Sequence, residues 1–175
     1  MKKYLLNPAG MLITGLVLGI IIRLLDIYTT NLGNIFSQIA VWILLGTIIS
    51  IYSATPKAAM FNIFPFCVGM LLTYYAVAII TNGVYHKIYI FGWMLFALCS
   101  PFLGYLAWMT KRTGFMAKFI SVGILCISLL SSIILFDHLR IHDFVIAGLL
   151  VYFLFCKKLI GSIRKELTIS GISNT

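Results

Sequence analysis

Long apolar runs separated by short polar turns divide this chain. The runs cover 8–28, 35–53, 58–80, 88–109 and 115–136. The turns between them are Thr29 to Asn34, Thr55-Pro56-Lys57, Thr81-Asn82-Gly83 and Lys111-Arg112-Thr113-Gly114. Runs of this length match the ~20 residues that a helix needs to cross the ~30 Å hydrocarbon core of a bilayer. A sixth run is uncharged only over 144–156. It reaches a spanning length, 139–160, if 139–143 joins the helix and Lys157 and Lys158 snorkel. An interfacial or half-inserted sixth segment is the alternative. The pattern predicts an all-α, polytopic transmembrane helical bundle of about six spans. A single bundle is expected over 1–165, followed by a disordered cytoplasmic tail at 166–175, where Ser, Gly, Asn and Thr dominate.

Composition strengthens this picture. The 175 residues are 62% hydrophobic and only 10% charged, with a mean hydropathy of +1.08. A soluble domain carries about 25% charged residues. A fold in water could not hide this much apolar surface, whereas a bilayer leaves it no need to hide. Lys2 and Lys3 ahead of the first run give it the outline of a signal peptide, but no small-residue cleavage site follows, so a retained first helix is expected.

The net charge of +9 sets orientation. With the N-terminus inside, the inner side would hold Lys2, Lys3, Lys57, Lys111, Arg112, Lys118, Lys157, Lys158, Arg164 and Lys165, and the outer side only Arg23, Lys87 and Arg140. That asymmetry predicts an N-in, C-in multi-pass protein of a bacterial cytoplasmic membrane. The basic residues form no stripe on a soluble element, so nucleic acid is not an expected partner. The expected partners are the bilayer, a membrane protein and a small-molecule solute.

Helical spacing gathers small and polar residues on faces. Gly15, Gly19, Arg23 and Asp26 share one stripe of the first span, and Gly15/Gly19 is a GxxxG. Trp42, Gly46, Ser50 and Ser53 share another, as do Asn62, Gly69, Thr73 and Ala76, and Ser121, Ser128 and Ser132. These read first as helix contacts and second as walls of a polar cavity. Pro65 and Pro101 lie inside spans and each frees a carbonyl.

Arg23 is the most informative single residue. A charge inside a span is costly unless paired, hydrated or snorkelling, and Asp26 three residues on offers a partner. The other reading makes Arg23 a binding group for an anionic solute. Asp26, Asp137, Asp143, His86, His138 and His142 all map to the outer side. Arg23, Asp26, Asp137 and His138 are therefore the candidate ligand-binding residues. A metal or proton site among the histidines is the weaker alternative, because loops collect polar residues simply by meeting water. No metal ligand set is assigned and no cofactor is expected. Cys67, Cys99, Cys126 and Cys156 lie in or at the end of separate runs and show no CxxC, so they read as small apolar residues. No nucleophile finds a base at its own depth, so no catalytic residue is named and an enzyme is not expected.

Gly19, Arg23 and Asp26 in the first span, Trp42 and Gly46 in the second, and Tyr74-Tyr75-Ala76 in the third resemble a bacterial family of small multi-span membrane proteins of unknown function. The size and span count also resemble the substrate-binding subunits of energy-coupling-factor vitamin transporters, which implies a ligand near the outer face. The expected function is an accessory or structural membrane subunit acting through helix contacts. The alternative is a small-solute carrier or substrate-binding subunit with an outer-side site around Arg23 and Asp26.

Overall fold

The computed structural model describes residues 6–29, 35, 38–81, 87–136 and 139–156. The fold is an all-α helical bundle, with no strand among the described residues. Its helices are α1 (Pro8–Tyr28), α2 (Ile39–Tyr52), α3 (Pro56–Ile80), α4 (Lys87–Met109), α5 (Phe115–Phe136) and α6 (Ile141–Val151), the last continued by one π-helical turn (Tyr152–Cys156). Asn-Pro and Thr-Pro pairs start α1 and α3. Asn7 Oδ1 accepts from the Gly10 N–H at 2.6 Å, and Thr55 Oγ1 from the Ala58 N–H at 3.1 Å. In each case proline occupies the first turn, where a missing N–H costs nothing.

Four helices, α1, α3, α4 and α5, are long and apolar enough to cross a membrane. Beside an apolar core, the bundle buries polar side chains and exposes large apolar ones. Arg23, Gln38, Asn62, Ser100, Ser128, Ser132 and Asp143 are buried, while Ile13, Val17, Phe91, Leu95, Phe102 and Ile134 face outwards. Such an apolar exterior suits lipid and would be untenable in water. The chain is therefore a membrane protein. Both α2 and α6 are shorter than the rest: α2 rises only about 21 Å.

The closest packing is between α1 and α3, which run parallel. A Cβ on Gly15 would collide with the Phe66 carbonyl oxygen, and one on Gly19 with Thr73 Oγ1 and the Met70 carbonyl. From the other side, a Cβ on Gly69 would come within 2.7 Å of the Leu12 carbonyl oxygen. The Thr73 hydroxyl donates across this contact to the Leu16 carbonyl at 2.8 Å. The GxxxG stripe is thus consumed inside the chain. Ala76, on the same periodic stripe as Thr73, is exposed.

α2 is the central helix. Trp42 and Ile49 join a cluster with Met11, Ile22, Ile63, Phe66 and Met70, while Ala40, Val41 and Leu44 join Ile146, Leu150 and Leu154 of the α6 segment. Trp42 meets Trp93 edge-on at 6.0 Å, and Tyr52 meets Phe153 at 6.5 Å. These contacts make α1, α3 and α5 run one way and α2, α4 and α6 the other. One end of the bundle carries Arg23, Gln38, Tyr74 and Asp143. The opposite end carries Leu6, Ser53, Asn62, Trp108 and Lys111.

Neither internal proline stops its helix. Pro101 leaves the Ala97 carbonyl without its helical N–H, and the Ser100 hydroxyl donates to that oxygen at 2.7 Å. Gly114, at φ 127°, turns the chain from α4 to α5 in a region that favours glycine.

Glycine replacements test the α1–α3 contact. Gly19→Leu is expected to lower stability by about 3 kcal/mol or more, because backbone atoms block the added carbons. Gly148→Ala meets nothing within 4 Å and is expected to be neutral or stabilising by up to about 1 kcal/mol. Thermal unfolding of the two variants in one detergent checks the ordering.

Candidate functional site: an ion-pair cluster and an apolar slot

Helical spacing brings Arg23 and Asp26 together, with Arg23 Nη1 donating to Asp26 Oδ2 at 2.5 Å. Tyr74 of α3 completes the group. Its hydroxyl donates to the same carboxylate oxygen at 3.1 Å and lies 3.3 Å from Arg23 Nη1. The guanidinium also sits over the Tyr74 ring, 5.2 Å from its centre. Arg23 is buried and Asp26 partly exposed. Among the described residues, the Arg23 Nε has no partner. Asp137 and His138 lie outside the described residues, as does His86, so the expected four-residue site is seen only at Arg23 and Asp26.

Beside this cluster is a small cavity of about 40 Å³, lined by Ile22, Trp42, Met70, Leu71, Tyr74, Tyr75 and Trp93. It has room for a few water molecules and for no organic solute. Arg23 does not line it. Tyr74 was legible in the sequence only as part of a Tyr-Tyr-Ala string; its partner on α1 is 48 residues away.

At the same end, α6 is pinned by its own first turn. Asp143, buried, accepts from the Arg140 backbone N–H at 2.8 Å through one oxygen and from the Ser132 hydroxyl at 2.8 Å through the other. A carboxylate in the first turn also meets the positive end of the helix dipole. His142 Nε2 lies 2.7 Å from Gln38 Nε2, so in this amide orientation the imidazole accepts. The histidine and the carboxylate anchor α6 to α2 and α5. Among the described residues, no three His, Cys, Asp or Glu side chains gather where a metal ion could sit.

The opposite end closes around the last carbonyl of α2. The Ser53 carbonyl accepts from Trp108 Nε1 at 3.1 Å and from Lys111 Nζ at 2.9 Å. Asn62 Nδ2 donates to Ser53 Oγ at 3.1 Å and to the Leu6 carbonyl at 3.3 Å. Trp108 is a platform for two cations, Lys111 at 5.1 Å and Arg112 at 5.7 Å. Burial pushes the Lys111 ammonium below its ordinary value.

The largest space in the protein among its described cavities lies between these ends. A partly open slot of about 540 Å³ runs between α2, α3, α4 and α5. Trp42, Ile43, Gly46 and Thr47 form its back. Ile63, Phe66 and Cys67 close one side with Phe96, Ser100, Leu103 and Ala107, and Phe119, Ile120, Gly123, Ile124, Ile127 and Ser131 form the other. Its walls are almost wholly apolar. The Ser100 and Ser131 hydroxyls donate to carbonyls of their own helices, Ala97 and Ser128, at 2.7 Å. The volume is that of an ordinary small-molecule pocket. Of the faces singled out in the sequence, that of Trp42 and Gly46 borders it; the α5 face bearing Ser121, Ser128 and Ser132 is a neighbouring face, and the slot's own α5 face carries no polar marker beyond Ser131.

Breaking either polar cluster tests its role. Asp26→Asn should destabilise more than the double change Arg23→Met/Asp26→Asn, because the single change leaves a buried guanidinium without its anion. Ser132→Ala should cost about 1–3 kcal/mol by stripping one partner from the buried Asp143 carboxylate. Unfolding midpoints in detergent read both.

No protein family, curated protein or solved structure matches this chain.

Proposed function

We propose that this protein is a multi-pass membrane subunit that binds a lipophilic solute inside its helical bundle and catalyses no reaction. The slot carries this reading. A void of about 540 Å³ bordered by four helices exceeds what tightly packed bundles leave empty, and its lining offers mainly dispersion contacts. The accessory-subunit reading rests on small-residue faces. Gly15, Gly19 and Gly69 spend theirs on the α1–α3 contact, which leaves that stripe no surface for a partner.

An outer-side site for an anionic solute draws less support. The charge of Arg23 is already met by Asp26 and Tyr74, and the adjacent cavity holds only water-sized molecules. In this reading Arg23, Asp26 and Tyr74 lock the ends of α1 and α3.

Six crossings with both ends inside, in a bacterial cytoplasmic membrane, complete the proposal. The alternating helix directions and the ten inner basic residues against three support it. α2 is too short to span alone, but its ends are served by neighbours: Gln38 by His142, and the Ser53 carbonyl by Trp108 and Lys111. Topology reporters fused after Lys57 and after Lys165 should both read as cytoplasmic. A periplasmic signal at either point refutes the arrangement.

Mass spectrometry of small molecules retained by purified protein tests the slot. The wild type and Tyr74→Phe should carry the same apolar species. Gly123→Trp, which projects into open space, should lose it. Retention by a folded Gly123→Trp protein would remove the slot as the site.

A further inference from the structure

We propose that the occupant of the slot is an anionic acyl lipid of the surrounding leaflet, with one chain between α4 and α5 and its headgroup on the basic turn at Arg112 and Lys118. This rests on the slot's being a binding site and adds the chemistry of its ligand.

Length argues first. The slot follows α5 from Phe119 to Ser131 and α4 from Phe96 to Ala107. Those intervals rise about 17–18 Å along their helices. One leaflet of a bilayer contributes about 15 Å of hydrocarbon, which is the depth an acyl chain occupies. The slot is therefore a chain-length channel lying along the bundle, not a compact pocket.

Volume excludes the competing occupant. A transmembrane helix about 10 Å across and 30 Å long fills on the order of 2,000 Å³. A slot of about 540 Å³ accepts a single hydrocarbon chain and not a helix from a partner protein.

Charge then fixes the head. Phe119 and Ala107 wall the slot at the end where α4 turns into α5. That turn holds Lys111 and Arg112, and Lys118 directly precedes Phe119. Arg112 and Lys118 are exposed, and Lys57 is exposed at the same end of the bundle. Both acidic residues among the described ones, Asp26 and Asp143, sit at the far end with Arg23. A chain that enters the slot from this end thus leaves its headgroup among the exposed cations Lys57, Arg112 and Lys118. Trp108, holding Arg112 and Lys111 over its ring, fixes the turn at headgroup depth. Under the N-in orientation this end faces the cytoplasmic leaflet, where anionic lipids are attracted to basic segments.

The experiment uses full-length protein exchanged into vesicles containing equal amounts of phosphatidylglycerol and phosphatidylcholine with identical acyl chains. Native mass spectrometry then counts the lipid that survives detergent extraction. The expected result is one tightly held lipid, with phosphatidylglycerol in excess. Lys118→Gln and Arg112→Gln should each reduce that excess on the order of fivefold, the usual worth of one basic residue near a membrane surface. They should lower phosphatidylcholine retention less, because its phosphate is already offset by its own ammonium. Gly123→Leu and Gly123→Trp should abolish retention of both lipids, with unfolding midpoints showing that the proteins remain folded.

Equal retention of the two lipids by the wild type would overturn the anionic headgroup and leave the slot reading standing. An anionic preference that survives Gly123→Trp would place the lipid on the basic surface and overturn both. Retention of a non-lipid apolar molecule in preference to either phospholipid would overturn this inference alone.

Discussion

The approach of α1 to α3, backbone against backbone, is the constraint on which the other contacts depend. Gly15, Gly19 and Gly69 remove the side chains that would hold the two axes apart, and Thr73 bridges them with a hydroxyl. Association in lipid has no hydrophobic drive, so close van der Waals contact and interhelical hydrogen bonds must supply it. Once the two helices are parallel at this distance, Arg23 falls beside Tyr74 and Asn62 beside Leu6. The adjoining side of α3, with Ile63, Phe66 and Cys67, is then turned to α2 and α4 and becomes one wall of the slot.

Polar side chains follow a consistent rule. Each cluster ties a helix end to a neighbouring helix. Asp143 ties α6 to Ser132, Gln38 ties α2 to His142, and Lys111 with Trp108 ties the end of α2 to the turn after α4. A helix terminus leaves backbone groups unpaired, and in hydrocarbon no water replaces them. The short α2 needs this help most. It is central; the Ser53 carbonyl at one end accepts from Trp108 and Lys111, and at the other the Gln38 side chain is held by His142. Hydroxyls do the same work inside spans, as Ser100 does for the carbonyl that Pro101 strands.

The slot is what these constraints leave over. α2 packs one face against the α1–α3–α4 group and another against α6, and α4 and α5 are not drawn together between them. The small residues on the facing sides of α4 and α5, Ser100, Ala107, Gly123 and Ser131, do not draw those helices together as the glycines of α1 and α3 do: a Cβ on Gly123 would meet nothing within 4 Å. Phe96, Leu103, Phe119 and Ile127 line the gap beside them. Bulky apolar side chains gain as much from lipid as from one another, so nothing in the chain compels closure.

Much of the fold was legible in the sequence because its signal is local. Twenty apolar residues between polar turns commit the backbone to helix, since hydrocarbon leaves its N–H and C=O groups no other partners. The pairing of Arg23 with Asp26 was equally local, a matter of three residues along one helix. The sequence also placed Gly15 and Gly19 on one stripe, but only the tertiary structure decided that α3 fills it. Tyr74, Gln38 and Ser132 acquired their roles from partners on other helices, which no periodicity within one helix encodes. The slot was the least legible feature. A cavity is the space that neighbouring faces fail to fill, and that failure depends on where four helices stand, not on which residues any one of them carries.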